Sequence, residues 1–169
     1  ANFKNLLKDK AIDAVAIATP NYQHSEQSIL ALKAGKHVFC EKPMTLTLKE
    51  ARAVKQAVKK SRRRFGVGFH LRFHPVFLAA KKIIKSGGLG EIRLAEMNWS
   101  IGRAGQIKFP VLPEYRRWRE SFKKSGGGAL MARGVHLFDL FNFLLERDWQ
   151  VVSAIDDRWL KNETEQLTV

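Results

Sequence analysis

The sequence predicts an α/β protein that opens with part of a doubly wound parallel sheet and continues into part of an α+β domain built on a second sheet. Three observations carry this. Strand and helix patterns alternate with turns of only a few residues from residue 11 to residue 69, the signature of parallel crossovers. Residues 11–18 (AIDAVAIA) are apolar almost throughout, as in a strand covered on both faces. After residue 70 the order changes to helix, alternating strand, long polar segment and long helix.

Taken in order, Phe3, Leu6 and Leu7 stand at helical spacing among lysines, and residues 11–18 form the first strand, ended by Thr19, Pro20 and Asn21. Residues 23–34 place Ile29, Leu30 and Leu32 in helical register, with Gly35 as a left-handed stop. Residues 36–40 form a second strand, broken by Glu41-Lys42-Pro43. Thr47 and Glu50 form a capping box that opens a helix running to about Lys60, and residues 65–69 form a third strand. Residues 75–85 are a helix ended by Ser86-Gly87-Gly88, and 91–101 alternate as a strand of the second sheet. Residues 102–125, polar and longer than an ordinary connection, are expected to be functional. Residues 126–146 are a helix whose apolar side is Leu130, Gly134, Leu137, Phe141 and Leu144; strand patterns at 150–156 and 166–169 close the chain. Two β-α pairs and pieces of another sheet leave edges bare, so the chain reads as an internal piece of a longer fold.

The 169 residues suffice for one domain or two small ones, and 45% hydrophobic with 27% charged residues is at odds with wholesale disorder. The net charge of +14 keeps nucleic acid and anionic ligands in view. The basic run from Lys55 to Arg64 has no interleaved aromatic residue to stack on bases, and cations in a last helical turn complement the helix dipole, so nucleic acid is not the expected partner. The single cysteine, Cys40, excludes an intrachain disulfide framework and suits a reducing compartment. No uninterrupted apolar run reaches the roughly 18 residues of a bilayer span, and a soluble, cytoplasmic protein without membrane contact is expected.

Open α/β sheets place ligands beyond the carboxyl ends of their strands. Thr19, Pro20 and Asn21 end one strand; Glu41, Lys42 and Pro43 end the next. Each turn alone is explained by backbone preference, but together they bring a hydroxyl, an amide, a carboxylate and an ammonium to one crevice, suited to a polyhydroxylated or phosphorylated ligand. Lys42, held between a strand end and a proline, can serve as proton donor or charge partner to a developing alkoxide. His136 and Asp139 share a helix face and can hydrogen-bond or converge on a ligand; a satisfied boundary histidine is the equal alternative. Ala132, one turn earlier, cannot orient the imidazole as a carboxylate would. His24 can contact a cofactor or pack inside. His70 and His74 bracket Arg72 without the spacing of a zinc site, and no metal is expected. Trp118-Arg119 joins a flat apolar surface to an anion fork, suiting a nucleotide ring or phosphate, or anchors a loop.

These residues resemble the oxidoreductases named after glucose-fructose oxidoreductase, inositol dehydrogenase and the MocA protein, and the likeness covers nearly the whole chain. It rests on Ala16-Ile17-Ala18-Thr19-Pro20-Asn21 followed by His24, on residues 34–43 (AGKHVFCEKP), on Gly126-Gly127-Gly128-Ala129-Leu130 leading to Gly134-Val135-His136 and Asp139, and on Gly68-Phe69 with Arg72-Phe73 and Trp118-Arg119. The resemblance implies the later part of a Rossmann domain for NAD or NADP in residues 1–70, then part of a substrate and oligomerisation domain with a large open sheet in 71–169. It implies a hydride transfer between the nicotinamide and a hydroxyl or carbonyl carbon of a sugar, cyclic polyol or related compound. Lys42 would hold the substrate oxygen and His136 would be the acid-base group. Thr19, Pro20, Asn21, His24, Glu41, Lys42, Trp118 and Arg119 would line the cofactor, and Arg72 and Asp139 would join Lys42 and His136 around the substrate. A homo-oligomer through the second-domain sheet is implied as well. The chain departs from the family in two places: no G-x-G-x-x-G turn occurs in it, and Ala132 stands where the family carries an aspartate. The second departure raises the alternative of a catalytically impaired member that serves as a ligand-binding or scaffold subunit.

Overall fold

The computed structural model describes residues 2–99, 118–119 and 121–147, and the backbone of 156–157 and 167–168. The chain divides into two units, Ala1–Gly68 with Trp118–Gly126, and Phe69–Arg117 with Gly127–Val169. The return of 118–126 to the first unit is not visible in the order of sequence patterns.

The first unit is a three-stranded parallel sheet in the order β1-β2-β3: Ala14–Ile17, His37–Cys40 and Phe65–Val67. Its helices are α1 (Phe3–Lys8), α2 (Asn21–Lys33) and α3 (Leu48–Ser61). Asn2 caps α1 by accepting from the Lys4 N–H at 2.9 Å. The expected capping box opens α3: Glu50 N–H donates to Thr47 Oγ1, and the Glu50 carboxylate accepts from the Thr47 N–H. Gly35 ends α2 at φ +76°, a conformation that suits a residue without Cβ.

The first strand is shorter than its apolar run, and its burial alternates: Val15 and Ile17 are buried, Ala14 and Ala16 exposed. Val15, Ile17, Val38 and Cys40 join Ala31 and Leu32 of α2 in one core, with Phe3, Leu6 and Leu7 of α1 and Ala57 and Val58 of α3 against it. All three helices thus serve the same apolar cluster, while Phe39 on the alternate register of β2 is exposed. Coverage of both faces, as the apolar run predicts, is not found among the described residues.

The second unit begins with a 3-10 turn, His70–Phe73, where the third predicted strand was to finish. Helix α4 spans Pro75–Lys85 as predicted, with His74 capping it and Pro75 at its first position. Residues 91–99 form no strand: among the described residues none pairs with them, and without a ladder an alternating pattern does not become a strand. Residues 100–117, 120, 148–155, 158–166 and 169 lie outside the described residues.

The predicted helix 126–146 is divided. A short α5 (Phe122–Ser125) in the first unit ends at Gly126, φ +83°. A π-helical turn, Leu130–Gly134, then leads into α6 (Val135–Leu145), which Glu146 stops in the left-handed region at φ 50°. The buried stripe of α6 is His136, Asp139, Leu140 and Leu144, not the side through Leu137 and Phe141. Both sides lie within α6 and share Leu144, and the buried one carries two polar residues, which an apolar pattern does not mark.

Residues Phe122–Leu145 are long and apolar enough to cross a membrane by length and composition. Counting only uninterrupted apolar residues misses this window. Helical structure breaks at Gly126 within this stretch, and His136 and Asp139 are buried in it. β4 (Asp156–Asp157) and β5 (Leu167–Thr168) pair antiparallel.

Candidate functional site

Each unit carries one cluster of the predicted residues. In the first unit the parallel ladder brings β1 and β2 to a common carboxyl edge, since Ile17 faces Cys40 and the Glu41 N–H donates to the Ile17 carbonyl at 2.9 Å. The two predicted turns therefore lie side by side. Helix α2 leaves directly from β1 with Pro20 as its cap and no side-chain hydrogen bond there, so its positive end is offered at the strand edge.

Most of the polar groups in these turns are committed to the protein itself. Thr19 Oγ1 donates to Gln27 Oε1 at 2.8 Å, and Asn21 Nδ2 donates to the Ser125 carbonyl at 3.0 Å, tying the start of α2 to α5. The Glu41 carboxylate accepts from the Lys42 N–H at 3.2 Å and lies over Gly68, where a Cβ would stand 3.0 Å from Oε1. Gly68 makes room for that carboxylate. Lys42 is half-buried, and its peptide bond to buried Pro43 is cis.

His24 corrects the expectation of a cofactor contact. It is 1% exposed, with Nδ1 2.8 Å from the Pro43 carbonyl and Nε2 2.7 Å from the Thr19 carbonyl. Both ring nitrogens face backbone acceptors, so the ring has no edge left for a cofactor. Trp118 and Arg119 stack on each other, the guanidinium 5.3 Å from the indole centroid.

The rest of the 34–43 segment is structural. Lys36, 7% exposed, donates to the carbonyls of Asp9 at 2.6 Å and Ile12 at 2.7 Å, closing the loop before β1. His37 Nδ1 accepts from the Arg64 N–H at 2.9 Å, linking β2 to the approach of β3. The buried Cys40 thiol is pushed up to about 11, chiefly by desolvation, and donates to the Glu41 carbonyl.

In the second unit, Arg72 and Asp139 are each other's partner. Arg72 Nε donates to Oδ2 at 2.7 Å and Nη2 to Oδ1 at 2.5 Å, a bidentate pair joining the 3-10 turn to α6. Hydrogen bonding to this carboxylate raises the guanidinium above its ordinary value. The guanidinium also lies 5.7 Å from the Phe143 centroid, and Lys81 Nζ 3.9 Å from the same ring. With both oxygens of Asp139 engaged by Arg72, the pair braces the 3-10 turn against α6.

Asp139 does not orient His136. His136 is 3% exposed and set among three rings: Phe69 at 6.1 Å and His70 at 5.0 Å, both edge to face, and Trp99 at 5.8 Å. Aromatic packing thus borders the imidazole, and Ala132, one turn earlier, is exposed. Sequence reasoning did not bring His70, Phe69 and Trp99 to His136; the signal for the first two was their place directly after β3. His74 caps α4 by accepting from the Val76 N–H.

Comparison with known proteins gives two successive matches, the second of which includes residues 118–126 that the structure groups with the first unit. A family profile described as "Oxidoreductase family, NAD-binding Rossmann fold" matches residues 1–69, and the "GFO/IDH/MocA C-terminal domain" profile matches residues 77–167. Levoglucosan dehydrogenase of Pseudarthrobacter phenanthrenivorans is 31% identical over 160 residues, which are 95% of this chain and 40% of that protein. Inositol 2-dehydrogenase of Rhizobium meliloti is 32% identical over 143 residues, covering 85% of this chain and 39% of the relative. The solved structure of levoglucosan dehydrogenase in complex with NADH and levoglucosan superposes with a TM-score of 0.76 at 30% identity, over 94% of this chain and 41% of that one. The chain thus spans about two-fifths of the length of these relatives.

Proposed function

Because the chain belongs to the GFO/IDH/MocA oxidoreductase family, we propose that the whole protein exchanges a hydride between a nicotinamide cofactor, NAD or NADP, and a carbinol or carbonyl carbon of a sugar or cyclic polyol. The observation that carries this is Lys42, half-buried at the carboxyl edge of two parallel strands beside the turn Thr19–Asn21. The donor set fits the group: an ammonium, and the positive end of α2 offered at the strand edge. When bound, the nicotinamide takes or gives the hydride.

The chain's own residues handle the oxygen and the proton. In the oxidative direction Lys42 donates to the substrate oxygen and stabilises the charge that grows there as the C–H bond breaks. His136 is the acceptor of the hydroxyl proton, which leaves a carbonyl product. In the reverse direction the same imidazole returns the proton. Packing against Phe69, His70 and Trp99 supports a fixed ring plane for this transfer. The reading extends to a cytoplasmic homo-oligomer assembled through the second-domain sheet.

The test is calorimetric titration of the full-length protein with NADH and NADPH, followed by turnover on a panel of sugars and polyols. Saturable binding is expected, with turnover lost in Lys42→Ala while binding persists. Cofactor binding without turnover on any substrate would move the reading to a ligand-binding or scaffold subunit.

A further inference from the structure

We propose that His24 is a positioning residue that staples the two strand-end turns together and so fixes Lys42 against Thr19–Asn21; this rests on the role just given to Lys42. The ladder between β1 and β2 reaches the Glu41 N–H to Ile17 carbonyl bond. Farther out, the chain turns away on both sides, at Thr19-Pro20 and at Lys42-Pro43. There the His24 ring lies between them, one nitrogen 2.7 Å from the Thr19 carbonyl and the other 2.8 Å from the Pro43 carbonyl.

The chemistry of the ring suits a staple. Both partners are acceptors only, and neither carbonyl belongs to a helix or strand that would hold it. A neutral imidazole donates to one of them, and an imidazolium donates to both. The ring is fully buried, so water does not compete, and it comes from the first turn of α2, which is anchored by Asn21 to Ser125 and packed on the core through Ala31 and Leu32. The Pro43 carbonyl immediately follows Lys42. In the imidazolium form both carbonyls accept from the ring, so the Pro43 bond ties the lysine's turn to α2 and the Thr19 bond ties the neighbouring turn to the same ring.

Two substitutions divide the staple. In His24→Asn the amide sits near the place of Nδ1 and keeps a donor for Pro43; in His24→Gln it sits near the place of Nε2 and keeps a donor for Thr19. In the full-length protein His24→Ala is expected to lower kcat about ten- to a hundred-fold, as a displaced reacting group does. His24→Asn should restore more of kcat than His24→Gln, because it holds the lysine's turn, with substrate KM changing less than kcat. Amide hydrogen exchange reads the staple without turnover. In His24→Ala, exchange at Thr19, Asn21, Lys42 and Met44 should rise together while β1, β2 and the ladder-bonded Glu41 amide stay protected.

Equal kcat in all three variants and wild type, or losses that follow only the melting temperature with no difference between Asn and Gln, would overturn the proposal. Exchange that rises throughout the sheet instead of at the two turns would overturn it as well. If His24→Ala shows the exchange pattern but the wild-type protein turns over no substrate, the function is at fault and the staple stands.

Discussion

Replacing Arg72 separates a brace from a substrate clamp. Asp139 is 7% exposed and receives two hydrogen bonds from a guanidinium that is 42% exposed. Removing one partner of a fully buried pair costs about 3–5 kcal/mol. A surface pair is worth about 0–1 kcal/mol. With one partner buried and the other open to water, Arg72→Ala should lie between these limits, at about 2 kcal/mol, because it leaves a buried carboxylate without its cation. Loss of the Phe143 contact adds about 0.5 kcal/mol. Asp139→Asn keeps an acceptor and loses the charge, so about 1–2 kcal/mol is expected. The double variant should be less destabilised than the two single changes added together, by about 1–2 kcal/mol. A loss of 2 kcal/mol corresponds to a fall in Tm of roughly 4–8 °C for 150–250 residues, and to a smaller fall in the longer full-length protein. Urea and thermal melts of the two single variants and the double variant measure the coupling, and steady-state kinetics on the same samples measure KM. Additive effects within about 0.3 kcal/mol, with wild-type Tm and a substrate KM raised tenfold or more in each single variant, would refute the brace and return both residues to the substrate.

Lys36→Met should cost about 2–4 kcal/mol in urea denaturation, because it leaves the Asp9 and Ile12 carbonyls without their buried donor, while cofactor affinity stays within twofold. A loss of cofactor affinity at unchanged stability would place that ammonium at a ligand instead. Glu146 is held below its ordinary value by its hydrogen bonds to Lys81 and Lys85. A depressed carboxylate contributes stability that is present above its unfolded pKa and is lost as pH falls through the folded one. Wild type should therefore melt above Glu146→Gln at pH 6, converge with it below the ordinary glutamate range, and lose part of the difference in high salt. A constant gap at every pH would assign the effect to the left-handed stop of α6 and not to the ion pairs.

What could be read in the sequence was governed by range. Gly35, the Thr47–Glu50 box and Pro75 act within a few residues of themselves, and the elements they bound formed where expected. The parallel order of the first three strands followed from the short connections between them. The coverage of the sheet did not follow, because an apolar strand reports what it tolerates on each face and not which helices arrive there. The buried face of α6 was not legible because it carries His136 and Asp139, whose burial an apolar pattern does not mark. Among the candidate residues, sequence position located the two strand ends but could not say where each side chain spends its hydrogen bonds. Arg72 meets Asp139 across 67 residues, and Asn21 meets Ser125 across 104. His24 and Lys36 make the same point within the most recognisable segments of the chain. Residue types that commonly meet ligands here face backbone carbonyls, and they hold the turns that carry Lys42 and the approach to β1. A motif of this kind marks the construction of a site as much as its chemistry, so its residues divide into those that touch the reacting atoms and those that keep a turn in place. Burial and hydrogen-bond partners place His24, Lys36 and His37 on the second side, while the proposed function assigns Lys42 to the first.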